Sequence, residues 1–518
     1  MFRLYQFFTA FILLAPALLW AQQASHLNCG TSHEAQAVGL ERLAENRRMA
    51  PQLLADWQQQ LQSRNSFDST VYVPIVFHRV SRGDGTGAAT YQQLHDNLCA
   101  INAFYADMNV VFYIHEINEI ANTQLYVNQD NTADYVRSLH KRNGYVNIYV
   151  GGPYQQGTSY GAYYAPNFDW IFAWNNQISG GTTLAHELGH YFTLAHTFYG
   201  WEGMEYATAS VNNKAPEMGS NGRPVEKVVR GQTGENCQWA ADGFCDTPPD
   251  YASGGGGCTF TETWRDPDSV LITPSSNTPL INNHMSYFSC RTSFTDQQKE
   301  AIMLDMISRG QHYNAAPAAL TADGTPSLSF PEDGGLIPNV DQGVELRWQA
   351  ANAAHAYWVL VEKVTPNTCI PTGQTQEFMV QGTYLWLDLE PGQYYRWSVR
   401  AMGAENPCNY NASPWACFRT EAWTTAVAAT EQLASAKLWP NPQAAGQELI
   451  LSLETAQSQK ASLDIYNNLG QRVSSQSLSL AAGEQLLRIG TQDLPAGHYW
   501  LNLQIQGENK QLPFVLVD

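Results

Sequence analysis

Basic residues are scarce in this sequence. Its 518 residues include 28 lysine and arginine residues against 47 aspartate and glutamate residues, and the formal net charge at pH 7 is −19. A chain of this charge repels polyanions, so nucleic acids and anionic membranes are poor partners. Charged residues of both signs make up only 14% of the chain. This composition fits a soluble exported protein.

Long apolar runs are absent after residue 21. Residues 1–21 contain Arg3 and a short apolar stretch, and they end in the small residue Ala21. This layout is typical of a secretory signal peptide, and the apolar stretch is too short for a membrane span. We predict cleavage near Ala21 and no transmembrane segment in the mature chain. The remaining length exceeds what one hydrophobic core organises, which predicts several domains.

Cysteine pairs at the C-x-x-C spacing of zinc sites are also absent, although the chain has nine cysteines. Four of these cysteines cluster in a glycine-rich segment: Cys237, Cys245, Cys258 and Cys290. In an exported protein such a cluster predicts a pair of disulfides. Zinc binding by the four cysteines is the alternative, which their spacing disfavours. The sequence alone leaves the pairing open.

The remaining cysteines carry weaker signals. Cys99 lies on the apolar side of a predicted helix, which favours a buried thiol. Among Cys369, Cys408 and Cys417, the easiest local bridge joins Cys408 to Cys417 and leaves one cysteine over. Cys29 lies near the N-terminus in a Cys-Gly-Thr sequence.

The segment Gly181–His196 contains the pattern H-E-x-x-H. On a helix, His186 and His190 leave the same face one turn apart, so both rings can bind one zinc ion at roughly 2.0–2.1 Å. Glu187 then lies beside the metal, where it can take a proton from zinc-bound water. The alternative is a surface helix with two hydrogen-bonded histidines.

A third ligand is expected downstream of this helix. His196 completes the set if the chain turns sharply after the helix, and the fourth position is then left to water, as in catalytic zinc sites. If His196 is not the ligand, Glu202 and Glu205 are the next candidates.

These residues resemble the pappalysin family of metzincin metallopeptidases, in particular its secreted bacterial branch. The resemblance covers roughly residues 65–312, and the matching segments are Val71–His78, His186–His190 with His196, Asp242–Pro248 and Asn283–Tyr287. It implies an α/β (α+β) metzincin-like catalytic domain over residues 65–313. It also implies zinc bound by the three histidines, Glu187 as general base, and a Met-turn beneath the metal in which Met285 is the apolar floor.

Further roles follow from the same resemblance. Tyr287 supports the tetrahedral intermediate, and Asp242 and Thr247 are calcium ligands; a solvated acidic turn is the alternative for these two. The family pairing joins Cys237 to Cys258 and Cys245 to Cys290. Family members that prefer a basic residue after the cleaved bond have an acid in the pocket near the Met-turn. Arg291 stands near this position here, so an acidic or neutral preference is expected.

The chain departs from the family at Thr193. Metzincins usually have glycine, or asparagine in some members, three residues before the third histidine, where the helix ends in a left-handed turn. A β-branched residue at positive φ costs about 1–3 kcal/mol. Either the turn is built differently in this protein, or the site carries that strain.

Residues 22–64 are predicted to form a propeptide. The resemblance places Cys29 there, where its thiolate can occupy the open position of zinc and block the site until the segment is removed. A disulfide partner or a spare thiol is the alternative. Activation cleavage is expected at Arg47 and Arg48 or at Arg64, in polar sequence.

The predicted catalytic domain begins with a strand at Val71–Val80 and a helix at Tyr91–Asp107, and further strands follow at Asn109–Ile117 and Tyr145–Val150. In a metzincin-like cleft the strand within Gly161–Asn175 is an edge strand, with which an extended substrate pairs. An aromatic core strand is the alternative. His78, His95, His115 and His140 have no partner at ligand spacing and are interpreted as structural or surface residues.

Two β-sandwich domains are predicted after a linker at residues 314–322. Residues 323–425 show short alternating strands that resemble a fibronectin type III domain. Residues 431–518 resemble the C-terminal sorting domain of type IX secretion cargo, which implies a Gram-negative source, the secretion machinery as a partner, and a secreted or cell-surface protein. A second ordinary sandwich is the alternative.

The sequence therefore predicts a secreted zinc endopeptidase that acts on extracellular proteins or peptides, with zinc and calcium as its metals. The alternative, from another functional class, is a cell-surface adhesin or binding protein whose metzincin-like domain is weakly active or inactive.

Overall fold

The computed structural model describes most of the chain. The described residues are 29–63, 70–127, 131–153, 161–200, 214–219, 221–251, 258, 265–271, 278–310, 324–338, 340, 343–421, 436–467, 471–505 and 508–517. The predicted signal peptide, Arg64, Glu202, Glu205 and the predicted linker lie outside them. The chain divides into two compact units. The first comprises residues 1–51, 154–171 and 182–305, and the second comprises residues 52–153, 172–181 and 306–518.

The described helices are α1 His33–Ser63, α2 Tyr91–Tyr105, α3 Thr123–Val127, α4 Asn131–His140, α5 Thr182–Tyr191, α6 Thr278–Ile281 and α7 Asp296–Ser308. The strands that precede α5 are β1 Val71–Ser81, β2 Val110–Ala121, β3 Val146–Gly151, β4 Ala162–Ala165 and β5 Trp170–Trp174. None of the helices in the described ranges is long and apolar enough to span a bilayer.

The next strands form the first C-terminal β unit: β6 Ser327–Phe330, β7 Gly335–Ile337, β8 Val344–Gln349, β9 Ala356–Val364, β10 Pro371–Val380, β11 Tyr384–Leu387, β12 Tyr394–Met402, β13 Asn411–Ala412 and β14 Ala416–Thr420. The last strands form the second: β15 Lys437–Trp439, β16 Gln443–Ala444, β17 Leu449–Thr455, β18 Gln459–Asn467, β19 Arg472–Leu480, β20 Gly483–Ile489, β21 Gly497–Ile505 and β22 Glu508–Val517.

In the second of the two compact units, strand β1 lies between β2 and β3 and is parallel to both, and β5 lies next to β3 on its other side. The residues of β1 are almost all buried, as expected for a strand covered on both faces. Helix α2 begins with a capping box at Thr90 and Gln93 and buries Leu94, Leu98 and Ile101. The side chain of Asn102 donates to Phe112 O and accepts from Phe112 N, each at 2.8 Å, which joins this helix to β2.

The sequence interprets four histidines in this part of the chain as structural or surface residues, and His78 on β1 is the most buried of them. His78 Nε2 is 2.9 Å from Asn147 Oδ1, and Asn118 Nδ2 is 2.9 Å from His78 Nδ1. Burial lowers the pKa of His78 to about 3. This neutral histidine is structural, as the sequence predicts.

Both C-terminal β units are two-layered. In the first, the sheet β10-β9-β12-β14-β7 faces the sheet β11-β8-β6, and one cluster that includes Leu346, Trp348 and Trp397 fills the space between them. In the second, the sheets β15-β17-β20 and β16-β22-β21-β18-β19 share a core that includes Leu451, Leu501 and Phe514. Alternating burial along β8 and β18 gives each sheet its core face.

The first sandwich is bonded to helix α2 of the same unit. A disulfide joins Cys99 to Cys408, with Cα atoms 5.6 Å apart, and His95 lies 4.6 Å from the ring of Tyr410. The prediction of a buried thiol at Cys99 is therefore wrong, and so is the predicted Cys408 to Cys417 bridge, because Cys417 pairs with Cys369. Sequence proximity favoured the local bridge, whereas the packing of α2 against the sandwich decides the pairing.

The first unit is rich in irregular structure. Its disulfides join Cys237 to Cys245 and Cys258 to Cys290, with Cα separations of 5.0 and 5.4 Å. The family-based pairings of Cys237 with Cys258 and of Cys245 with Cys290 are therefore wrong. A bridge needs Cα atoms about 4.4–6.8 Å apart, and the turn between Cys237 and Cys245 brings these two cysteines within that range.

Candidate metal centre

Helix α5 carries the H-E-x-x-H pattern on a buried face. His186 and His190 are 2% exposed, and their ring centroids are 4.8 Å apart. Leu184 and Leu188 are completely buried on the same short helix. This burial excludes the alternative of a surface helix.

The helix ends in a Schellman motif. Thr193 N donates to His190 O at 3.1 Å and Leu194 N donates to Gly189 O at 2.9 Å, which are the two hydrogen bonds of that motif. Thr193 occupies the left-handed position with φ of 78°. The turn is thus built in the usual way with a strained residue, and the site carries the strain that the sequence left in question.

The reversal at Thr193 brings His196 to the other two histidines. His196 Nε2 lies 3.2 Å from His186 Nε2 and 3.1 Å from His190 Nε2. Three ligands on a tetrahedral zinc ion with bonds of 2.0–2.1 Å are separated by about 3.3 Å. The spacing of the three nitrogen atoms therefore fits one metal ion.

Backbone carbonyl groups orient two of these rings. His186 Nδ1 lies 2.6 Å from His284 O, and His190 Nδ1 lies 2.7 Å from Leu194 O. Because a carbonyl oxygen can only accept, each Nδ1 carries the proton and each Nε2 presents a lone pair to the centre. Burial lowers the pKa of His186 and of His190 well below the usual value, and their neighbouring imidazoles add to the effect.

Glu187 faces the same centre and is 1% exposed. Burial raises the pKa of Glu187 to about 7, although hydrogen bonds from Cys29 and Thr31 act in the opposite direction. A carboxylate with a pKa near neutrality suits a general base at that pH. Its Oε2 accepts a hydrogen bond from Thr31 Oγ1 at 3.0 Å.

The segment 283–287 forms a turn beneath the histidines. Asn283 Oδ1 accepts from Met285 N at 2.8 Å, and Met285 O accepts from Thr197 N at 3.2 Å. Met285 is completely buried, and a Cβ at Gly189 would lie 2.3 Å from its sulfur. Glycine at position 189 therefore allows Met285 to pack directly against α5.

Tyr287 lies at the edge of the centre, with its ring 5.0 Å from His196. Its hydroxyl oxygen accepts a hydrogen bond from Cys29 N at 3.1 Å. Arg291 lies behind His186, where its Nη1 is 3.3 Å from His186 Nδ1 and its Nε is buried without a partner in the described part of the chain. The predicted site residues Tyr287 and Arg291 are thus both close to the histidines.

Cys29 joins the histidines from the N-terminal segment. Its Sγ and one nitrogen of each of His186, His190 and His196 lie within 4.8 Å of one another. Two other groups with such spacing occur in the described residues, but each contains disulfide-bonded cysteines. Cys29 itself is in no disulfide. Burial raises the pKa of Cys29, as does the Glu187 carboxyl group, so a bound cation would be needed to favour the thiolate.

A second acidic group lies in the irregular segment of the first unit. Asp242 Oδ1 accepts from Thr247 Oγ1 at 3.1 Å, while Asp242 Oδ2 is buried without a partner among the described residues. Burial raises the pKa of Asp242 to about 7, and burial together with Asp242 raises that of Glu226. The sequence marks Asp242 and Thr247 as candidate ligands, whereas no local motif marks Glu226, Thr31 or Gln36 as part of a site.

Comparison with known families identifies one part of the chain. A family model described as the secretion system C-terminal sorting domain matches residues 437–516. This match confirms the sorting-domain prediction for the last sandwich. The protein is therefore exported and is either secreted or held at the cell surface, with the secretion machinery as a partner.

Solved structures of fibronectin type III domains resemble parts of the chain only weakly. The FN1–FN3 domains of chicken CNTN1 are 9% identical with a TM-score of 0.16, over 39% of this chain and 69% of that one. The fn3 domain of human collagen alpha-1(XX) is 21% identical with a TM-score of 0.16, over 21% of this chain and 99% of that one. A two-domain segment of chicken tenascin is 13% identical with a TM-score of 0.14, over 38% of this chain and 100% of that one. No curated protein matches the sequence.

Proposed function

We propose that the protein is a zinc-dependent endopeptidase, exported as a latent precursor. The observation that carries the proposal is the convergence of three imidazole nitrogens, 3.1–3.2 Å apart, beside a buried carboxylate. The carbonyl partners of His186 and His190 leave Nε2 lone pairs facing one another, an arrangement that a cation stabilises. Resemblance of these residues to the pappalysin metzincins supports the same assignment.

Zinc at this position would be held by His186, His190 and His196, and when bound it supplies Lewis acidity that polarises a carbonyl group and acidifies water. Glu187 would accept the proton of the attacking water and return it to the leaving amine. The Tyr287 hydroxyl group would donate to the oxyanion of the tetrahedral intermediate, a contribution of about 10²–10³ in rate for such donors. Met285 supports the ligands from below.

Strand β4 would bind the extended substrate. It pairs with β5 and with no other described strand, so it has a free edge for main-chain hydrogen bonds. The N-terminal segment now uses that edge, since Gly30 N donates to Ala162 O at 2.8 Å. Removal of the segment would expose the strand.

The arginine near the centre favours an acidic substrate residue. A guanidinium group is always charged and binds carboxylates through paired hydrogen bonds. Arg291 has a buried unpaired Nε among the described residues and lies close to His186. Cleavage of a peptide library, read by mass spectrometry, would show enrichment of aspartate or glutamate after the cut bond, and this enrichment would be lost in Arg291→Gln.

Glu187→Gln tests the peptidase assignment, because the amide keeps the shape of the side chain but cannot accept the proton. We expect the processed protein to bind one zinc ion per chain and to digest casein, with activity abolished by a chelator and restored by zinc. Glu187→Gln should retain zinc and lose at least about 10²-fold in activity.

Glu300→Gln, which alters an exposed acid of the first unit, is the matched control and should remain active. Proteolysis that survives Glu187→Gln would contradict the mechanism. A wild-type protein that binds zinc and cleaves nothing would favour the adhesin alternative.

A further inference from the structure

Thr31 forms a hydrogen bond with Glu187, the proposed general base. It is 5% exposed, and its hydroxyl group donates its only proton to Glu187 Oε2 at 3.0 Å. The same oxygen accepts from Tyr164 N at 2.9 Å. Thr31 therefore bridges the carboxylate and strand β4, and it fills the position from which Oε2 would contact water.

Backbone and side-chain contacts fix Thr31 from both sides. Gly30 N donates to Ala162 O at 2.8 Å. Gln36 Nε2 donates to Thr31 O at 3.3 Å, and Gln36 Oε1 accepts from His196 N at 2.9 Å. The N-terminal segment is thus hydrogen-bonded to the backbone of His196 as well as to the carboxylate of Glu187.

Helix α1 anchors the segment at a distance from the metal centre. Arg42 Nη2 donates to Tyr191 O at 2.6 Å and to Asp305 Oδ2 at 3.0 Å, and Asn46 Nδ2 donates to Asp305 Oδ1 at 2.9 Å. A Cβ at Gly39 would lie 3.1 Å from Thr193 O, so the helix backbone approaches the strained turn closely. None of these contacts involves a thiol or a metal ion.

We propose that Thr31 is a second inhibitory residue, which blocks Glu187 independently of Cys29. This inference rests on the proposed function and adds a mode of regulation to it. The thiol of Cys29 lies beside the three histidines and also 3.5 Å from Glu187 Oε2. The hydroxyl of Thr31 makes the shorter contact with that oxygen, at 3.0 Å, and it alone of the two side chains also binds strand β4, through Tyr164 N. A variant that lacks only the Cys29 thiol therefore keeps the hydrogen bond between Thr31 and Glu187, and Gly30 and Thr31 remain bound to strand β4.

Full-length precursors with Thr31→Val, Thr31→Ser, Cys29→Ala and the Cys29→Ala/Thr31→Val pair test the proposal. The first readout needs no activity: trypsin cleavage after Arg47 and Arg48, in the presence of a chelator, follows the population in which the segment has opened. Arg47 Nη1 donates to Gly243 O at 3.1 Å, so cleavage after Arg47 requires this contact to open. Thr31→Val loses the hydrogen bond to the Glu187 carboxylate, so the segment should open more often. We therefore expect trypsin to cut this variant about tenfold faster than wild type. Thr31→Ser, which keeps the hydroxyl group, should stay within about twofold.

The second readout is cleavage of a small quenched peptide by the uncut precursors with zinc. Cys29→Ala should stay mostly latent, and the double variant should be about tenfold more active than Cys29→Ala. Wild-type trypsin sensitivity of Thr31→Val, or full activity of Cys29→Ala alone, would overturn the proposal. If Thr31→Val opens the segment but no trypsin-processed chain cleaves peptide, the contact with Glu187 stands and the peptidase assignment fails.

Discussion

Thr193 occupies a backbone conformation that glycine adopts without strain. Its φ of 78° is required by the Schellman motif that ends α5, and its Oγ1 is buried without a partner in the described ranges. Strain of this kind persists only where surrounding structure enforces it, and it clusters at functional sites. Here the enforced turn is what delivers His196 to the other two histidines.

Thr193→Gly should stabilise the protein. Removal of the Cβ relieves about 1–3 kcal/mol of strain, partly offset by the greater freedom of glycine in the unfolded chain. We expect the free energy of unfolding in urea to rise by about 1 kcal/mol. Thr193→Ala removes the hydroxyl group but keeps the Cβ, so it should stabilise less; equal gains in the two variants would show that φ is not the cause.

Gly189→Ala should weaken metal binding. The added methyl group would lie 2.3 Å from the sulfur of Met285, so either α5 or the turn at residues 283–287 has to move, at a cost of about 1–3 kcal/mol. We expect zinc affinity to fall at least about tenfold in competition with a chelating dye. Gly189→Ala/Met285→Ala makes room for the methyl group and should recover part of the affinity. Unchanged zinc affinity in Gly189→Ala would contradict the packing argument.

At the scale of elements, sequence patterns predict the regular structure well. Strands β1, β2 and β3 and helix α2 all lie where periodicity places them. Helix α7 begins with a capping box of Thr295 and Gln298, another local signal. Local signals suffice for these elements because their apolar faces repeat at fixed spacing. The irregular segment of the first unit has no such repeat, so the sequence left its disulfides open, and the pairing taken from the family resemblance was wrong.

The acidic turn in that irregular segment should bind calcium. Asp242 and Glu226 are buried, and each has one carboxylate oxygen without a partner in the described part of the chain; carboxylate and hydroxyl oxygens are the ligands that calcium prefers. We expect calcium at about 1 mM to raise the melting temperature of the wild type by several degrees, because an ion that binds only the folded state stabilises it. Asp242→Asn should lose this response. Glu300→Gln should keep it, and a wild type that does not respond to calcium would refute the site.

At the scale of the whole molecule, the first sandwich is covalently part of the second unit. The Cys99 to Cys408 disulfide joins α2 to the sandwich, and the ring centroid of His95 on α2 lies 5.7 Å from that of Trp358 on β9. A bridge across 309 residues of sequence removes much unfolded-state entropy and is therefore expected to be stabilising. The sandwich should then remain attached to helix α2 in the mature protein.

A protease site inserted into residues 314–322 tests this attachment. After cleavage, non-reducing denaturing gels should show one species of full mass, and reduction should release two fragments. Cys408→Ser should release both fragments without reduction. Separation of the fragments in the non-reduced parent protein would show that the bridge does not form.

The sequence by itself determined the ligand types and their spacing on one helix, the strand and helix periods, and the C-terminal sorting domain. These features are local, and each is fixed by residues close together in the chain. Tertiary structure alone decided which cysteines pair, that His196 reaches the other histidines through a strained threonine, and that Thr31 reaches Glu187 across 156 positions of sequence. Such contacts depend on how distant segments pack, and no periodic or local signal encodes that packing.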